Sequence, residues 1–329
     1  MSEPSPAFVS VVSPIYNTEP YLEECIRSVL AQTHEHFEYI LVDNQSQDRS
    51  REIAADYAAK DRRVKLVRTP RFFSQLDNFN FSLSLISPAS RYTKMVLSDD
   101  WIFPSCLAQM VPLADANPRV GVVGSYRLIG NQGGGFGLPA DRTVLSGRET
   151  CRMHLLDGIF LFGSPTNVLY RSDLVRQRSS FFRAGRIHFD TDLAFELLQE
   201  HDFGFVHQVL SFCRQRAESI TASAQDYYPI ALDRMVLVLN HGRSFLNAEE
   251  LQHCREGAER FFYDGLARGW LAHPTAYPNG DFWQFQKKGL ATAGAEIRPA
   301  RLARAVARVA LKTLANPLDV AKALRDRPR

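Results

Sequence analysis

The sequence predicts an α/β fold: a mostly parallel sheet flanked by helices, followed by a helical C-terminal extension. Three observations carry this expectation. Short β-rich runs alternate with stretches of helical period through the first third, the spacing of βαβ units. Several of those runs end directly in polar segments, as strands do at a ligand-binding sheet edge. From about Asp226 onward the pattern is helical, with no clear strand.

Element by element, Phe8 to Val12 reads as a buried first strand. Thr18 is suited to cap the next helix, with Pro20 in its first turn. Leu22, Ile26, Val29 and Leu30 then share one helical face. Tyr39 to Val42 is the second strand, ending in the polar turn from Asp43 to Asp48. A helix follows from about Arg49 to Lys60, with Ile53, Ala54, Tyr57 and Ala58 inward. Val64 to Val67 is a third strand, and Leu76, Phe79, Leu83 and Ile86 mark a helix. The fourth strand, Met95 to Leu97, runs straight into Ser98-Asp99-Asp100. A helix from Pro104 to Asn117 and a strand from Val120 to Ser125 come next. Gly133 to Gly135 reads as a flexible loop. Further on come a strand near Asn167 to Tyr170, a helix from about Asp192 to Glu200 and a strand from Phe203 to Phe212. Pro274 to Gly280 reads as a loop before the last helices. The expected division is 1–105, 106–225 and a helical extension over 226–329.

Composition narrows the function classes. The 329 residues are 45% apolar and 23% charged, which supports a sizeable core and excludes wholesale disorder. No apolar run approaches the roughly 18 residues a spanning helix needs. Residues 1–6 lack a basic stretch, so no secretory signal is expected there. Five scattered cysteines form neither a disulfide framework nor a CxxC pair, in keeping with a cytoplasmic setting. The net charge of +3 is uneven: residues 298–329 hold nine Lys/Arg against two acids, leaving the body at −4. An acidic body argues against nucleic acid as a partner.

Three strand ends could hold chemistry: Ser13 to Asn17, Asp43-Asn44 and Ser98-Asp99-Asp100. Carboxylates converging from two strands repel one another unless a cation or a donor-rich ligand intervenes. Hard oxygen ligands in that setting suit Mg²⁺ or Mn²⁺ holding a diphosphate. The plainer alternative is that such acids only cap turns or the next helix. No P-loop or dinucleotide glycine fingerprint follows the first strand.

In order and spacing, these segments resemble family 2 glycosyltransferases of the nucleotide-diphospho-sugar transferase fold (GT-A type). The resemblance rests on residues 9–17, 28–33 and 37–43 and on Leu97-Ser98-Asp99-Asp100 followed by Pro104. It continues more weakly through Gly163-Ser164-Pro165-Thr166, Asp190-Thr191-Asp192 and Arg214-x-Arg216, to about residue 222. It implies an inverting transfer of a sugar from a nucleoside-diphosphate sugar, a UDP-sugar being favoured, to a glycan or lipid-linked acceptor hydroxyl in surface polysaccharide or glycolipid assembly. It implies donor contacts from Pro14, Tyr16, Asn17, Asp43, Arg71 and Asp99, and Mg²⁺ or Mn²⁺ on Asp99 and Asp100. Asp190 stands at the general base, and His188 and Arg214 at the acceptor side or lid. The chain departs from the family pattern at Leu97, Asn44, Asp77, Phe189 and Arg216, where acids, an arginine or a histidine are usual.

Two other readings remain open: a nucleotidyltransferase of related fold, and a non-catalytic sugar-nucleotide or glycan-binding relative. Phe160, Phe162, Phe181, Phe182 and Trp101 could stack on sugars or fill the core. In the tail, Leu302, Val306 and Val309 share one helical face and Arg301, Arg304, Arg308 and Lys312 the other. This basic amphipathic helix suits either the anionic inner face of a membrane or packing on the protein.

Overall fold

A computed structural model describes residues 6–183, 188–216, 227–272 and 277–315. They divide into two units, one built from 6–183 and 188–216, the other from 227–315.

The first unit carries one mixed sheet. Its early half is β1 (Val9–Ile15), α1 (Glu19–Leu30), β2 (Phe37–Asp43), α2 (Ser50–Lys60), β3 (Val64–Arg68), α3 (Gln75–Ser84) and β4 (Tyr92–Met95). Then follow β5 (Trp101–Ile102), α4 (Cys106–Ala116), β6 (Val120–Ile129), β7 (Gln132–Gly134), β8 (Val144–Leu145), α5 (Gly147–Asp157), a 3₁₀ turn (Pro165–Asn167), β9 (Leu169–Arg171), α6 (Ser172–Arg176), α7 (Phe189–Leu197) and β10 (Asp202–Cys213). The strand order is β3-β2-β1-β4-β9-β6-β10-β5, with β7 on β6 and β8 on β10. The β1–β2, β2–β3, β1–β4 and β6–β10 pairs are parallel, whereas β9 lies antiparallel to both β4 and β6. The sheet therefore continues across residue 105, and no structural division falls there.

Every residue of β1 and β2 is buried, because helices cover both faces. Val9, Val11 and Ile15 face Leu22, Cys25, Ile26 and Val29 of α1 and Leu107, Met110 and Val111 of α4 in one cluster. Val12 is equally buried on the opposite face, by the two-residue alternation of a strand. Phe79 and Leu83 of α3 are buried too.

Four sequence expectations need correction. Thr18 sits at the N-cap of α1, but its hydroxyl makes no cap bond. The Glu19 amide instead donates to Asp48 Oδ2 at 3.0 Å, and the Arg49 amide to Glu19 Oε2 at 3.0 Å, so the starts of α1 and α2 cap each other. The fourth strand ends at Met95, two residues early, and a turn at 98–99 leads into β5. Gly133 and Gly134 are not loop: a turn at Gly130 (φ +57°) folds β7 back along Arg127–Ile129. The helix expected from Asp192 starts at Phe189, which moves Asp190 into its first turn.

The second unit is helical among its described residues: α8 (Pro229–Phe245), α9 (Ala248–Ala272), α10 (Asp281–Ala291) and α11 (Pro299–Ala315). α8 packs on α9 and α10, and α9 packs on α11. In the basic amphipathic α11, Leu302 and Ala305 are buried, Val306 and Val309 half-buried, and Leu311 and Leu314 exposed. Arg301 pairs with Glu259, and Arg308 Nε donates to Asp264 Oδ1 at 3.0 Å. No described helix is long and apolar enough to cross a membrane. Of the expected 274–280 loop, 274–276 lie outside the described residues, as do 316–329 of the tail.

Candidate functional site

Parallel register brings four strand ends to one edge. Ile15 pairs with Asp43, Asp43 with Arg68, and Val12 with Met95. The segments that follow share that edge: Tyr16-Asn17, Asn44, 69–73 and 96–100. Pro14 is buried inside β1. Asp43 is fully buried; its Oδ1 accepts the Ser46 amide at 3.0 Å, and Arg68 Nε lies 3.6 Å from Oδ2, which makes no hydrogen bond. A buried carboxylate oxygen left without a donor is costly, and a ligand hydroxyl or amine would satisfy it.

Asn44 binds the neighbouring loop through both ends of its amide. Its Oδ1 accepts from the Phe73 amide (2.9 Å) and the Thr69 hydroxyl (3.3 Å), while its Nδ2 donates to Phe73 O (2.9 Å). An aspartate could not make the last bond, which ties the 69–73 loop to the edge. Asn17 adopts φ +48°, and its Oδ1 accepts from the Gln47 amide at 2.8 Å. Tyr16 and Phe72 are exposed, with ring centroids 4.9 Å apart, and the Arg71 guanidinium lies 4.9 Å over Phe73. The edge thus offers an aromatic platform beside a carboxylate.

The acid pair divides its work. Asp100 is buried: Oδ2 accepts from the Thr166 hydroxyl at 2.6 Å and Oδ1 from the Arg214 amide at 2.9 Å. Burial, with the neighbouring Asp99 charge, pushes its carboxyl up to about 7. Behind it the fully buried Lys94 amine donates to Thr166 O (2.6 Å) and Val168 O (3.2 Å), fixing the 3₁₀ turn, and burial pulls its pKa down. Asp99 stands nearer solvent, its Oδ2 2.8 Å from Arg216 Nε. Arg214 Nε donates to Asp99 O at 3.0 Å, and its Nη2 pairs with Glu24. Both guanidiniums lie over Tyr21, at 4.7 and 5.6 Å.

Asp190 follows His188, the N-cap of α7; its Oδ1 accepts the Thr191 amide at 2.8 Å. Its charge reaches Arg127, a buried guanidinium lying 5.2 Å over Phe160, and the buried Tyr170. Cys213 in turn is within electrostatic reach of both Arg127 and Asp100. The structure therefore brings the 99–100 pair and Arg214 together, and Asp43, Tyr16 and Asn17 onto the same sheet edge, while Asp190 sits in the first turn of α7. Gly163 (φ +75°) bends the chain there; an added Cβ would lie 2.3 Å from Asn167 Oδ1. Phe162, Phe181 and Phe182 are core, and Trp101 stacks on Phe212 at 5.0 Å.

Tyr21, Glu24, Lys94 and Arg127 were missed by sequence reasoning. The i, i+3 spacing of Tyr21 and Glu24 on the solvent side of α1 was a usable signal, as was a lone lysine within a buried strand.

The sequence reading puts Mg²⁺ or Mn²⁺ on Asp99 and Asp100, and the residues present do not fit such an ion. Both Asp100 oxygens already accept hydrogen bonds inside the fold. Asp99 already faces a guanidinium. Among the described residues no group of three or more His, Cys, Asp or Glu is placed to hold a metal.

The sequence profile described as Glycosyl transferase family 2 matches residues 10–178. TuaG of Bacillus subtilis (strain 168), named for teichuronic acid biosynthesis, is 44% identical over 59 residues, 18% of this chain and 23% of TuaG. The chain spans 17% of one further curated glycosyltransferase it matches and 42% of another, less than two thirds of either. Among solved structures, S. aureus TarS 1–349 in complex with UDP-GlcNAc has a TM-score of 0.57 at 18% identity, over 87% of this chain and 79% of that one. Mannosyltransferase PcManGT from Pyrobaculum calidifontis, in complex with GDP-Man and Mn²⁺, has a TM-score of 0.53 at 17% identity, over 94% and 81%. At these identities the two structures establish a shared fold.

Proposed function

The chain belongs to glycosyl transferase family 2, and from that premise we propose that it moves a sugar from a nucleoside-diphosphate sugar, a UDP-sugar by preference, to an acceptor hydroxyl with inversion at the anomeric carbon. The observation that carries the reading is the shared edge: an aromatic platform and the Asp43 carboxylate on one side, and the Asp99–Arg214–Arg216 cluster on the other. Tyr16 and Phe72 would stack on the nucleobase, Asp43 and Asn17 would receive base or ribose donors, and Arg71 would meet the phosphates. Asp99 stands where it can orient the ribose or diphosphate.

In the transfer, the acceptor oxygen attacks the anomeric carbon from the face opposite the diphosphate. The bond to the β-phosphate oxygen breaks, and its electron pair leaves with the nucleoside diphosphate. The acceptor proton passes to Asp190, a step worth typically about 10²–10⁴-fold. His188 and Arg214 border the acceptor side.

The setting we propose is surface polysaccharide or glycolipid assembly, in line with the name of TuaG. The exposed Leu311 and Leu314 with Arg304 and Lys312 on α11 would meet an anionic membrane surface. A thermal-shift screen of nucleoside diphosphates and nucleotide sugars tests the donor reading. One base is expected to raise the melting temperature, and the shift is expected to vanish in Asp43→Ala. A screen in which no nucleotide stabilises the protein would end this reading.

A further inference from the structure

The charge at the acid pair is balanced by the chain itself. Asp99 and Glu24 are each matched by a guanidinium, Arg216 and Arg214 respectively, and the two arginines share the Tyr21 ring. The two arginines are not equivalent. Arg214 is engaged throughout: its amide holds Asp100, its Nε holds the Asp99 carbonyl, and its Nη2 holds Glu24. Arg216 Nε lies 2.8 Å from Asp99 Oδ2 yet makes no hydrogen bond among the described residues. The pair is held by charge and proximity, without the directed N–H bond that guanidinium and carboxylate usually form.

Resting on the glycosyl-transfer reading, we propose that this edge binds the donor's diphosphate without a divalent cation, and that Arg216 supplies the positive charge, positioned by Asp99 and Tyr21. The chemistry suits the role. A guanidinium stays protonated at any working pH and presents a planar fork that matches two phosphate oxygens. As the bond from the anomeric carbon breaks and its electron pair stays on the β-phosphate oxygen, a fixed cation beside that oxygen stabilises the transition state. No proton moves at Arg216; the acceptor proton goes to Asp190. A dication would have to share Asp99 with a guanidinium 2.8 Å away, and the two cations would repel. Asp100 already accepts from Thr166 and from the Arg214 amide, which aims both of its oxygens into the fold.

The test is isothermal titration of the full chain with UDP and with GDP, first in excess EDTA and then with Mn²⁺. Wild-type affinity is expected to agree between the two buffers within about threefold. Arg216→Gln is expected to weaken binding by about tenfold or more in both. Arg216→His is expected to bind poorly in EDTA and to recover with Mn²⁺, because an imidazole beside Asp99 makes a metal-ligand pair. Wild-type binding that needs Mn²⁺ would overturn the inference, and that comparison requires no variant to fold. Arg216→Gln binding as tightly as wild type would overturn it equally. If neither nucleotide binds in either buffer, the donor reading itself fails and this inference fails with it.

Discussion

Replacing Thr166 by valine isolates what holds the acid pair. Thr166 is fully buried, and its hydroxyl makes two bonds: it donates to Asp100 Oδ2 at 2.6 Å and accepts from the Leu97 amide at 3.1 Å. Valine has the same shape, so the change opens no cavity. Above pH 7, where Asp100 is ionised, losing a hydrogen bond to it costs about 1.5–3 kcal/mol, and the orphaned Leu97 amide adds about 1–3 kcal/mol. The expected loss is therefore about 2.5–6 kcal/mol. At about 2–4 °C per kcal/mol for a unit of this size, the melting temperature is expected to fall by about 5–24 °C. Thr166→Ser is the control. It keeps the hydroxyl and loses one methyl, at a cost of about 1 kcal/mol. Urea unfolding followed by tryptophan fluorescence or circular dichroism measures both. If valine costs no more than serine, the Thr166–Asp100 bond does not hold this edge and the reasoning is wrong.

Other expectations follow from the same geometry. The raised Asp100 pKa means the folded state favours its neutral form. Its stabilising contribution is thus full below about 4 and lost as pH rises through about 7. The stability of wild type minus that of Asp100→Asn, measured by urea unfolding, should decline across that window; a difference that grows with pH contradicts it. Gly163→Ala should destabilise by about 1–3 kcal/mol, from the positive φ and the 2.3 Å clash with Asn167, as read by thermal melting. Leu311→Ser with Leu314→Ser should reduce co-sedimentation with anionic vesicles while leaving the melting temperature within about 1–2 °C per substitution, since both side chains are exposed. Unchanged sedimentation would remove the membrane contact.

Local pattern made the first hundred residues legible. Strands β1 to β3 and helices α1 to α3 were readable because strand runs and helical faces there are uninterrupted, and because buried parallel strands leave little choice of register. What depended on distant partners was not readable. The α1 cap comes from Asp48, thirty residues on, so the local signal at Thr18 misled. The β9 strand enters the sheet antiparallel between β4 and β6, a placement no adjacent turn dictates. The three glycines near 133 looked like slack, yet Gly133 and Gly134 lie within β7, opposite Leu128 and Arg127. At the site, the acids were visible as strand-end residues. Their division into a buried Asp100 and an edge-facing Asp99 was not, because it depends on Thr166, Arg214 and Arg216 arriving from later segments.

The most direct measurement is consumption of the donor: release of nucleoside diphosphate from a panel of nucleotide sugars by wild type and by Asp190→Asn, with binding followed in parallel by titration. Wild type is expected to release nucleoside diphosphate from one donor, slowly without acceptor. Asp190→Asn is expected to bind that donor with similar affinity while turning over about 10²-fold or more slowly. Equal turnover by the two proteins, or donor binding that is lost along with the Asp190 carboxylate, would contradict the role assigned to this edge and to Asp190.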